Sequence, residues 1–549
     1  MFRLSHTKIS RVPPVAFVLM LSLGLNTLGL TWGLPNYVDW AQDSIVLQTL
    51  GAIAKRFSNG WFDKYPPVQY VVLACFYTPY IGYLFLSGGL QTPTNVFPYG
   101  FADPLSALTS LILIARVVSV LMGTAIILLV YMAVNELFDR RAAIFSALLV
   151  AICYPFVYYA HNANVDVPYL FWALLAIIYF LKLLKYGQLK FYVLFAFFAA
   201  LSICTKDQAY GLFILSPIPI LWVRFRETTE VAQRAPGFAR MLFDSRLLIA
   251  GAVAIATFII DHNIPFSFAG FLGHIQRITG EGVEPYVSYA PTLSGRLQLL
   301  LATGSALAES LTPPIFWLCI FGTAFCVARF PRFTLPLLFL GFAYYFTFIN
   351  VVRFMRLRFV LPLSIILTFF GGQLLAEIWY TGGWLKVRRL AVCVLLVYAA
   401  LFPIQLDLLL MGGESRYAAE AWMEKNFRKS SIVETFATSH YHLAWFYPRF
   451  PSHVKLRVSE RVTGSEWISQ KLPANRVRFP NLYDGTEAPD YIVLKFLPRA
   501  FDRQQEGVLS ELYRGDLGYK LVASFNTQTF VSIEGLTINP RVDIFEKAP

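Results

Sequence analysis

The chain alternates long apolar segments with short polar connectors. Twelve segments approach the roughly 17–25 apolar residues that cross a bilayer as a helix, at about 13–33, 66–87, 108–131, 142–160, 166–185, 190–206, 207–223, 246–262, 311–328, 333–350, 358–379 and 389–411. Beyond residue 411 the pattern changes to one helix-like segment, SRYAAEAWMEKNF, and the strand-like segments SIVETFA, DYIVLKF, YKLVASF and DIFEK. The pattern predicts a polytopic α-helical membrane module over residues 1–411 and a smaller α/β domain over residues 412–549.

Basic connectors orient the predicted spans, because Lys and Arg are enriched in cytoplasmic loops. The basic connectors are DRR at 139–141 and the segments 182–190, 224–246, 329–332 and 386–389. Two candidate segments, 66–87 and 108–131, lie between the first span and Arg140. All the basic connectors face the cytoplasm only if one of these two segments does not cross the membrane. We select 66–87, because it begins with two prolines and contains Pro79 and Gly82, and we expect it to lie along the outer surface or to re-enter.

This choice predicts eleven spans in the cell membrane, a cytoplasmic N-terminus and an extracytoplasmic domain over residues 412–549. The basic N-terminus and the apolar stretch after it imitate a signal peptide, but the stretch is long and has no A-x-A site, so we interpret it as a retained first span. The large external connectors are then 35–107 and 261–298.

Composition narrows the functional classes. Of the 549 residues, 56% are hydrophobic and 14% are charged, against roughly 25% charged in soluble domains. An ordinary soluble enzyme and a disordered chain are therefore excluded. The net charge of +13 comes mainly from residues 1–411, with 28 Lys and Arg against 17 Asp and Glu. This excess of positive charge reflects the orientation of the spans in the membrane, and no nucleic acid is expected as a partner. The six cysteines all lie in apolar segments, which excludes a disulfide framework and a CxxC zinc site.

Ionisable residues collect at the predicted outer boundary of the membrane, where each is costly unless it has a partner or a task. They are Asp39, Asp43, Lys64, Asp166, Lys206, Asp261, His262, Arg353, Arg356 and Arg358. Simpler roles stay open for several of them. Asp39 and Asp166 suit helix N-caps, and Asp43 suits a solvated helix face. The Lys206 side chain suits two simpler roles: its ammonium group reaches towards water, or the adjacent Asp207 neutralises it.

The segment RFMRLR places Arg353, Arg356 and Arg358 on the outside, against the positive-inside tendency. Such a cluster favours an anionic partner at membrane depth, of which a lipid phosphate is the obvious one. The alternative is pairing with Asp261 or with the carboxylates of the first external connector. Carboxylates suit proton abstraction and cations suit a phosphate leaving group. The set fits transfer of a group from a phosphorylated lipid to a hydroxyl.

Several motifs, in this order, resemble the GT-C superfamily of membrane glycosyltransferases, most closely the bacterial relatives of protein O-mannosyltransferases and of the lipid A aminoarabinose transferase. The motifs are VDWAQD, KYPPVQY, ARVVSVLMG, FDRRAA, NVDVPYLFW, TKDQAYGLFILSP and RFVLP. The resemblance implies a periplasmic active site and a polyprenyl- or dolichyl-phosphate-linked sugar donor. It also implies inverting transfer to a glycan, lipid or protein acceptor in glycan biosynthesis.

The resemblance also implies residue roles. Asp39 acts as general base, and Asp166 supports the acceptor or a metal. Lys206, Arg358, Lys64 and Arg353 hold the donor phosphate. Asp43, Tyr65, Asp261, His262 and Arg356 are further candidates for the substrate site. Two departures stand out: the family's first-loop Asp-Glu is Asp39-Trp40 here, and Tyr65 separates Lys64 from the two prolines.

Cofactors and rival functions stay open at this stage. A divalent metal, Mg or Mn, is compatible with the family, but the missing second carboxylate beside Asp39 leaves its ligands undefined. His440 and His442 are spaced like neighbours on one strand face without a third ligand nearby. A transporter or flippase would also contain charged residues within the membrane. In transporters such residues usually lie near the midplane, and the hydropathy pattern repeats along the chain. A non-catalytic assembly factor with the same fold is a third alternative.

Overall fold

The computed structural model describes residues 13–35, 43, 45–55, 57, 65–94, 99–232, 243–279, 287–436, 455–459, 488–496, 510, 512–533, 535–536, 538 and 539–548. Asp39, Lys64, His440 and His442 lie outside the described residues. The helices up to the middle of the chain are α1 (Pro14–Thr27), α2 (Ile45–Ala54), α3 (Val68–Leu86), α4 (Pro104–Leu137), α5 (Arg140–Ala151), α6 (Tyr154–Ala160), α7 (Asp166–Tyr186), α8 (Leu189–Ile203), α9 (Tyr210–Phe213) and α10 (Pro217–Ala232).

The remaining helices are α11 (Ser245–Asp261), α12 (Phe268–Thr279), α13 (Leu293–Leu311), α14 (Pro313–Arg329), α15 (Pro331–Tyr344), α16 (Leu361–Tyr380), α17 (Leu385–Leu408) and α18 (Ser415–Asn426). A π-helical segment, Tyr345–Ile349, prolongs α15, and a 3₁₀ turn, Leu357–Val360, leads into α16. The predicted external connector 261–298 therefore contains a helix of its own, α12, and the start of α13.

The protein is a polytopic α-helical membrane protein, as the sequence predicts. Within the described ranges, seven helices are long and apolar enough to cross a bilayer, or up to nine if each of two sharply bent helix pairs forms one span. The bent pairs are α5 with α6 and α13 with α14. Three shorter apolar helices, α1, α2 and α8, add to this set. The count of eleven spans stays a prediction.

Helix α3 corrects one step of the sequence reasoning. Its prolines and glycine were expected to break the backbone, yet residues Val68–Leu86 form one helix of 19 residues with Pro79 inside it. Pro66 and Pro67 precede the first turn, where a missing N–H costs nothing. Its length and mean hydropathy of 1.3 suit a membrane span. Its position outside or across the bilayer stays a prediction.

Close helix contacts build the centre of the membrane module. Gly322 on α14 lies against the backbone of Phe370 on α16, and Gly371 on α16 lies against Cys319 on α14. A Cβ atom at either glycine would collide with the neighbouring helix. Small residues permit this approach in membranes, where helices associate by van der Waals packing. The contact fixes α16 within the module.

Helices α7 and α8 form an antiparallel hairpin that ends on one side at Gly187, in the left-handed conformation with φ of 63°. The short connection places the start of α7 beside the end of α8. The Ser202 hydroxyl on α8 donates to the Tyr169 carbonyl on α7 at 2.9 Å. Residues before α7 and after α8 are therefore neighbours.

The C-terminal region contains a five-stranded sheet with strands β1 (Ile432–Phe436), β2 (Lys455–Ser459), β3 (Tyr491–Phe496), β4 (Tyr519–Phe525) and β5 (Arg541–Lys547). The strand order is β2-β1-β3-β5-β4. The first three strands are parallel, while β5 is antiparallel to both β3 and β4. The four strand-like segments and the helix α18 agree with the sequence prediction. Strand β2 was missed, because KLRVS is short and two of its five residues are charged.

The β4–β5 loop, residues 526–540, rests on the membrane module. Phe530 N donates to Gln405 Oε1 at 2.9 Å, and Leu536 and Ile538 belong to the main apolar core. Gly535, with φ of 72°, lies so close to Leu357 and Glu309 that a Cβ atom would meet the Glu309 carboxylate at 2.7 Å. The C-terminal sheet is thereby anchored next to the turn that carries Arg358.

Candidate functional site

Three helix ends bring Asp166, Lys206 and Arg358 together. Asp166 is the first residue of α7, Lys206 follows the end of α8, and Arg358 lies in the 3₁₀ turn before α16. Lys206 Nζ lies 2.5 Å from Asp166 Oδ1, and Arg358 Nη1 lies 3.8 Å from Asp166 Oδ2. We call these three residues the cationic triad. It holds two cations and one carboxylate, so its formal charge is +1.

The triad replaces the simpler roles considered for its members. No side-chain capping bond begins α7, so the N-cap role for Asp166 is wrong, since its carboxylate binds Lys206 instead. Lys206 is 6% exposed, so a lysine that reaches towards water is also wrong. Arg358 pairs with Asp166, so Asp166 is one carboxylate partner of the arginines in RFMRLR.

Burial dominates the electrostatics of Lys206. It lies in the turn between α8 and the 3₁₀ turn that precedes α9, outside both apolar helices. The pKa of Lys206 is lowered to about 8, because the effects of burial and of the nearby Arg358 together exceed the opposing effect of Asp166. The ring of Tyr169 lies 5.4 Å below the ammonium, and Gln208 Nε2 donates to the Tyr169 hydroxyl at 2.6 Å. The lysine is thus held in place but is still a cation at neutral pH.

The arginines of RFMRLR differ in burial and in the contacts that they make. Arg353 is half-buried with φ of 51°, and its carbonyl accepts from the backbone N–H groups of Ser288 and Tyr289. The Arg356 side chain is exposed and lies 5.2 Å from the ring centre of Phe354. Of the three, Arg358 alone is ion-paired within the triad.

The KYPPVQY motif reaches the triad through its backbone. Val68 N, at the start of α3, donates to the Cys204 carbonyl at 3.1 Å. Cys204 lies two residues before Lys206. Tyr65 is half-buried and packs on the apolar cluster of α2, α3 and α4. Lys64, the proposed phosphate contact of this motif, lies outside the described residues.

Asp43 forms a buried ion pair with Arg116, so a solvated helix face is wrong for it. The bonds are 3.2 Å from Arg116 Nε to Oδ1 and 2.5 Å from Nη2 to Oδ2, and both side chains are fully buried. Arg116 also donates to the Leu30 and Trp32 carbonyls, while Asp43 accepts from Ala163 N at 2.6 Å. The pair ties three segments together. The sequence singled out the motif around Arg116 without its partner, because residues 73 positions apart have no sequence signal of contact.

Asp261 and His262 belong to a second polar cluster behind the turn that carries Lys206. His262 Nδ1 lies 3.2 Å from Cys204 Sγ. His274 Nε2 lies 3.1 Å from Asp207 Oδ1, and the two histidine rings are 6.4 Å apart. Asp207 thus pairs with His274, and its charge also raises the pKa of the neighbouring Lys206. Within the described ranges, no group of three His, Cys, Asp or Glu side chains could hold a metal ion.

An apolar crevice begins one helical turn beyond the triad. It is lined by Leu170, Leu174 and Ile177 of α7, Leu212 of α9, and Pro362 and Ile365 of α16. Leu170 lies four residues after Asp166, and Pro362 lies four residues after Arg358. The crevice is small, with an empty volume of about 200 Å³, so it offers an apolar surface beside the triad and does not enclose a long hydrocarbon chain.

Comparison with known families supports the resemblance noted in the sequence. The family model for dolichyl-phosphate-mannose-protein mannosyltransferase matches residues 105–231. This stretch runs from α4 to α10 and includes Asp166 and Lys206. The resemblance to GT-C membrane glycosyltransferases is confirmed over these residues. A search of curated protein sequences finds no match to the chain.

Solved structures give distant likenesses. ArnT from Cupriavidus metallidurans, bound to undecaprenyl phosphate, has a TM-score of 0.48 and 14% identity over 97% of each chain. The archaeal oligosaccharyltransferase AglB from Archaeoglobus fulgidus, in complex with an inhibitory peptide and a dolichol-phosphate, has a TM-score of 0.47 and 14% identity over 88% of this chain and 69% of its own. The Archaeoglobus fulgidus enzyme with Zn and sulfate has a TM-score of 0.46 and 13% identity, over 88% of this chain and 68% of its own. Likenesses of this size assign no substrate.

Proposed function

We propose that the protein transfers a sugar from a polyprenyl- or dolichyl-phosphate-linked donor to an acceptor hydroxyl on the outer face of the membrane. The cationic triad beside an apolar crevice carries this proposal. The single negative charge of the donor's phosphodiester matches the net charge of +1 on the triad. The family match over residues 105–231 supports the same donor class.

The triad suits a leaving phosphate. Lys206 and Arg358 share one carboxylate, so the singly charged phosphodiester of the donor is attracted by two cations while Asp166 holds both in place. As the sugar–phosphate bond breaks, negative charge grows on the phosphate oxygen, and preorganised cations stabilise that charge more than the ground state. Lys64 and Arg353 are further proposed phosphate contacts, and Tyr65 and Arg356 flank the proposed site.

The proposed reaction is a single displacement with inversion. The acceptor oxygen attacks the anomeric carbon and its proton passes to the Asp39 carboxylate. The bond from that carbon to the phosphate oxygen breaks, its electron pair stays on the phosphate, and bare polyprenyl phosphate leaves. Asp166 supports the acceptor side and orients Lys206. The described side chains do not form a metal site, and no step here uses a metal ion.

The test is the release of bare polyprenyl phosphate in membranes that contain the cell's own lipid-linked sugars. The wild-type protein is expected to release it and Asp39→Asn is expected to abolish release, although the variant remains extractable and folded. Lys206→Ala and Arg358→Ala are expected to raise the donor concentration needed for half-maximal rate. Normal release by Asp39→Asn would remove the proposed base.

The same measurement separates the rival classes. A flippase or transporter moves the lipid with its sugar–phosphate bond intact, so the sugar-bearing lipid would change sides without release of bare phosphate. A non-catalytic assembly factor would leave the product profile unaltered after Asp39→Asn. Lys185→Met is the matched control, because Lys185 forms an exposed ion pair with Glu136 at 2.8 Å, away from the triad. It is expected to behave as wild type.

A further inference from the structure

The connector between α6 and α7, residues 161–165, buries amide groups that have no hydrogen-bond partner. Asn162 is fully buried, and among the described residues neither its Nδ2 nor its Oδ1 has a partner. Asn164 is 4% exposed, and its Nδ2 is also unpartnered. Buried polar side-chain atoms are nearly always hydrogen-bonded, so two such amides two residues apart require an explanation.

Loose packing does not explain them, because the connector is fixed on both sides. Ala163 N donates to Asp43 Oδ1 at 2.6 Å, and Asp166 N donates to Asn164 Oδ1 at 2.8 Å. Ala163 and Val165, which alternate with the asparagines, belong to the apolar cluster of α2, α3 and α4. The backbone is therefore held in place, while both amide atoms of Asn162 and the Nδ2 atom of Asn164 keep their hydrogen-bonding capacity. Such an arrangement lowers stability and is typical of a preorganised binding site.

The connector leads directly into the triad. Asp166 is four residues after Asn162, and its Oδ2 is buried without a hydrogen bond, with Arg358 Nη1 at 3.8 Å as its ion-pair partner. In a sugar phosphate the sugar ring is one bond away from the phosphate. If the triad holds the phosphate, as the proposed function requires, groups for the sugar must lie immediately beside it.

We propose that Asn162 and Asn164 form a subsite for hydroxyl groups of the transferred sugar. This inference rests on the proposed function and names the part of the donor that these residues recognise. An amide offers a donor and an acceptor side by side, which matches a neutral hydroxyl that both donates and accepts. Asn162 Oδ1 would repel a phosphate oxygen, so the subsite takes the sugar and leaves the anion to Lys206 and Arg358.

Asn162→Leu tests this subsite, because leucine has the same branching as asparagine and no polar atoms. Thermal unfolding in detergent is expected to show that the ligand-free variant is more stable than the wild type, since an unmet buried amide has been removed. Release of bare polyprenyl phosphate in membranes with the cell's own donor is expected to fall by about tenfold for each sugar hydrogen bond lost. Asn162→Ala is the second variant and is expected to lose the same activity.

Two controls complete the experiment. Bare undecaprenyl phosphate, which has no sugar, is expected to protect wild type and Asn162→Leu equally against heat, because it needs only the triad and the crevice. Thr303→Val removes a buried hydroxyl that is bonded to the Leu299 carbonyl at 2.7 Å. Thr303→Val is expected to lower stability slightly and to leave the release of bare polyprenyl phosphate unchanged. It thereby measures the effect of losing a polar group that already has a hydrogen bond.

The outcomes separate the two proposals. A less stable Asn162→Leu variant would overturn the subsite, because the amide would then have a structural partner. Wild-type release by both variants would overturn it as well, while the proposed function would stand. If undecaprenyl phosphate does not protect the wild type and its membranes release no bare lipid phosphate, the proposed function fails and the subsite fails with it.

Discussion

Neutralising Asp166 is expected to destabilise the protein more than removing either of its cationic partners. The Asp166 side chain is 1% exposed and that of Lys206 is 7% exposed, with 2.5 Å between Oδ1 and Nζ. Removing one partner of such a buried pair typically costs about 3–5 kcal/mol, because a buried charge is left uncompensated. Asp166→Asn leaves two cations, Lys206 and Arg358, so we expect a loss of about 3–5 kcal/mol of unfolding free energy.

Lys206→Met is expected to cost less than Asp166→Asn. It leaves Asp166 with Arg358, whose Nη1 is 3.8 Å from Oδ2, so the carboxylate keeps a compensating charge. The double variant Asp166→Asn with Lys206→Met removes the pair and leaves Arg358 alone. Its loss is expected to be smaller than the sum of the two single losses by about 0.5–3 kcal/mol, as for other coupled contacts.

The assay is equilibrium unfolding of the four proteins in mixed detergent, at pH 6 and again at pH 9. Asp166 raises the pKa of Lys206, so the lysine loses its proton more readily in Asp166→Asn. The destabilisation caused by Asp166→Asn is therefore expected to be smaller at pH 9 than at pH 6. Lys185→Met is the matched control, since an exposed ion pair is worth at most about 1 kcal/mol. The coupling within the buried triad would be refuted if Asp166→Asn were as stable as the wild type at pH 6. It would also be refuted if the losses of unfolding free energy in the two single variants added up to the loss in the double variant.

Three further outcomes are expected. Binding of undecaprenyl phosphate weakens as pH rises through about 8, where Lys206 loses its proton, and Lys206→Arg keeps its affinity to higher pH because arginine stays charged; an unchanged wild-type titration would contradict this. Gly535→Ala lowers the melting temperature and the rate of release together, because φ is 72° and a Cβ atom would meet the Glu309 carboxylate at 2.7 Å; a variant with wild-type values would show that the β4–β5 loop does not support the turn with Arg358. Ser288→Cys, at an exposed site, reacts with an impermeant thiol reagent added to intact cells; labelling only after lysis would reverse the proposed orientation.

Much of the fold could be read from the sequence because it depends on local periodicity. Runs of about twenty apolar residues specify membrane helices, and alternating segments specify the strands of the C-terminal sheet. The single helix α3 was misjudged because proline in a long apolar helix can be accommodated by neighbouring groups, which a local rule ignores. Strand β2 has too few residues for its pattern to stand out.

The triad could be predicted only in part. Asp166, Lys206 and Arg358 were all identified as charges at the ends of apolar segments, where a charge needs a reason to be. The grouping of these three residues could not be derived from the sequence. Lys206 lies 40 residues after Asp166, and Arg358 lies much further along the chain. For the same reason the sequence could not show that, of the arginines in RFMRLR, Arg358 would pair with Asp166.

The sequence by itself determined that this is a membrane protein with a polar C-terminal region and a small set of charges at helix ends. Only the tertiary structure decided which charges meet. It paired Asp43 with Arg116 as a structural clamp, built the triad around Asp166, and left both amide atoms of Asn162 and the Nδ2 atom of Asn164 buried without a hydrogen bond among the described residues. The physical reason is that apolar periodicity is a local property of the chain, whereas the partner of a buried charge is set by which helix ends the packing brings within a few ångströms.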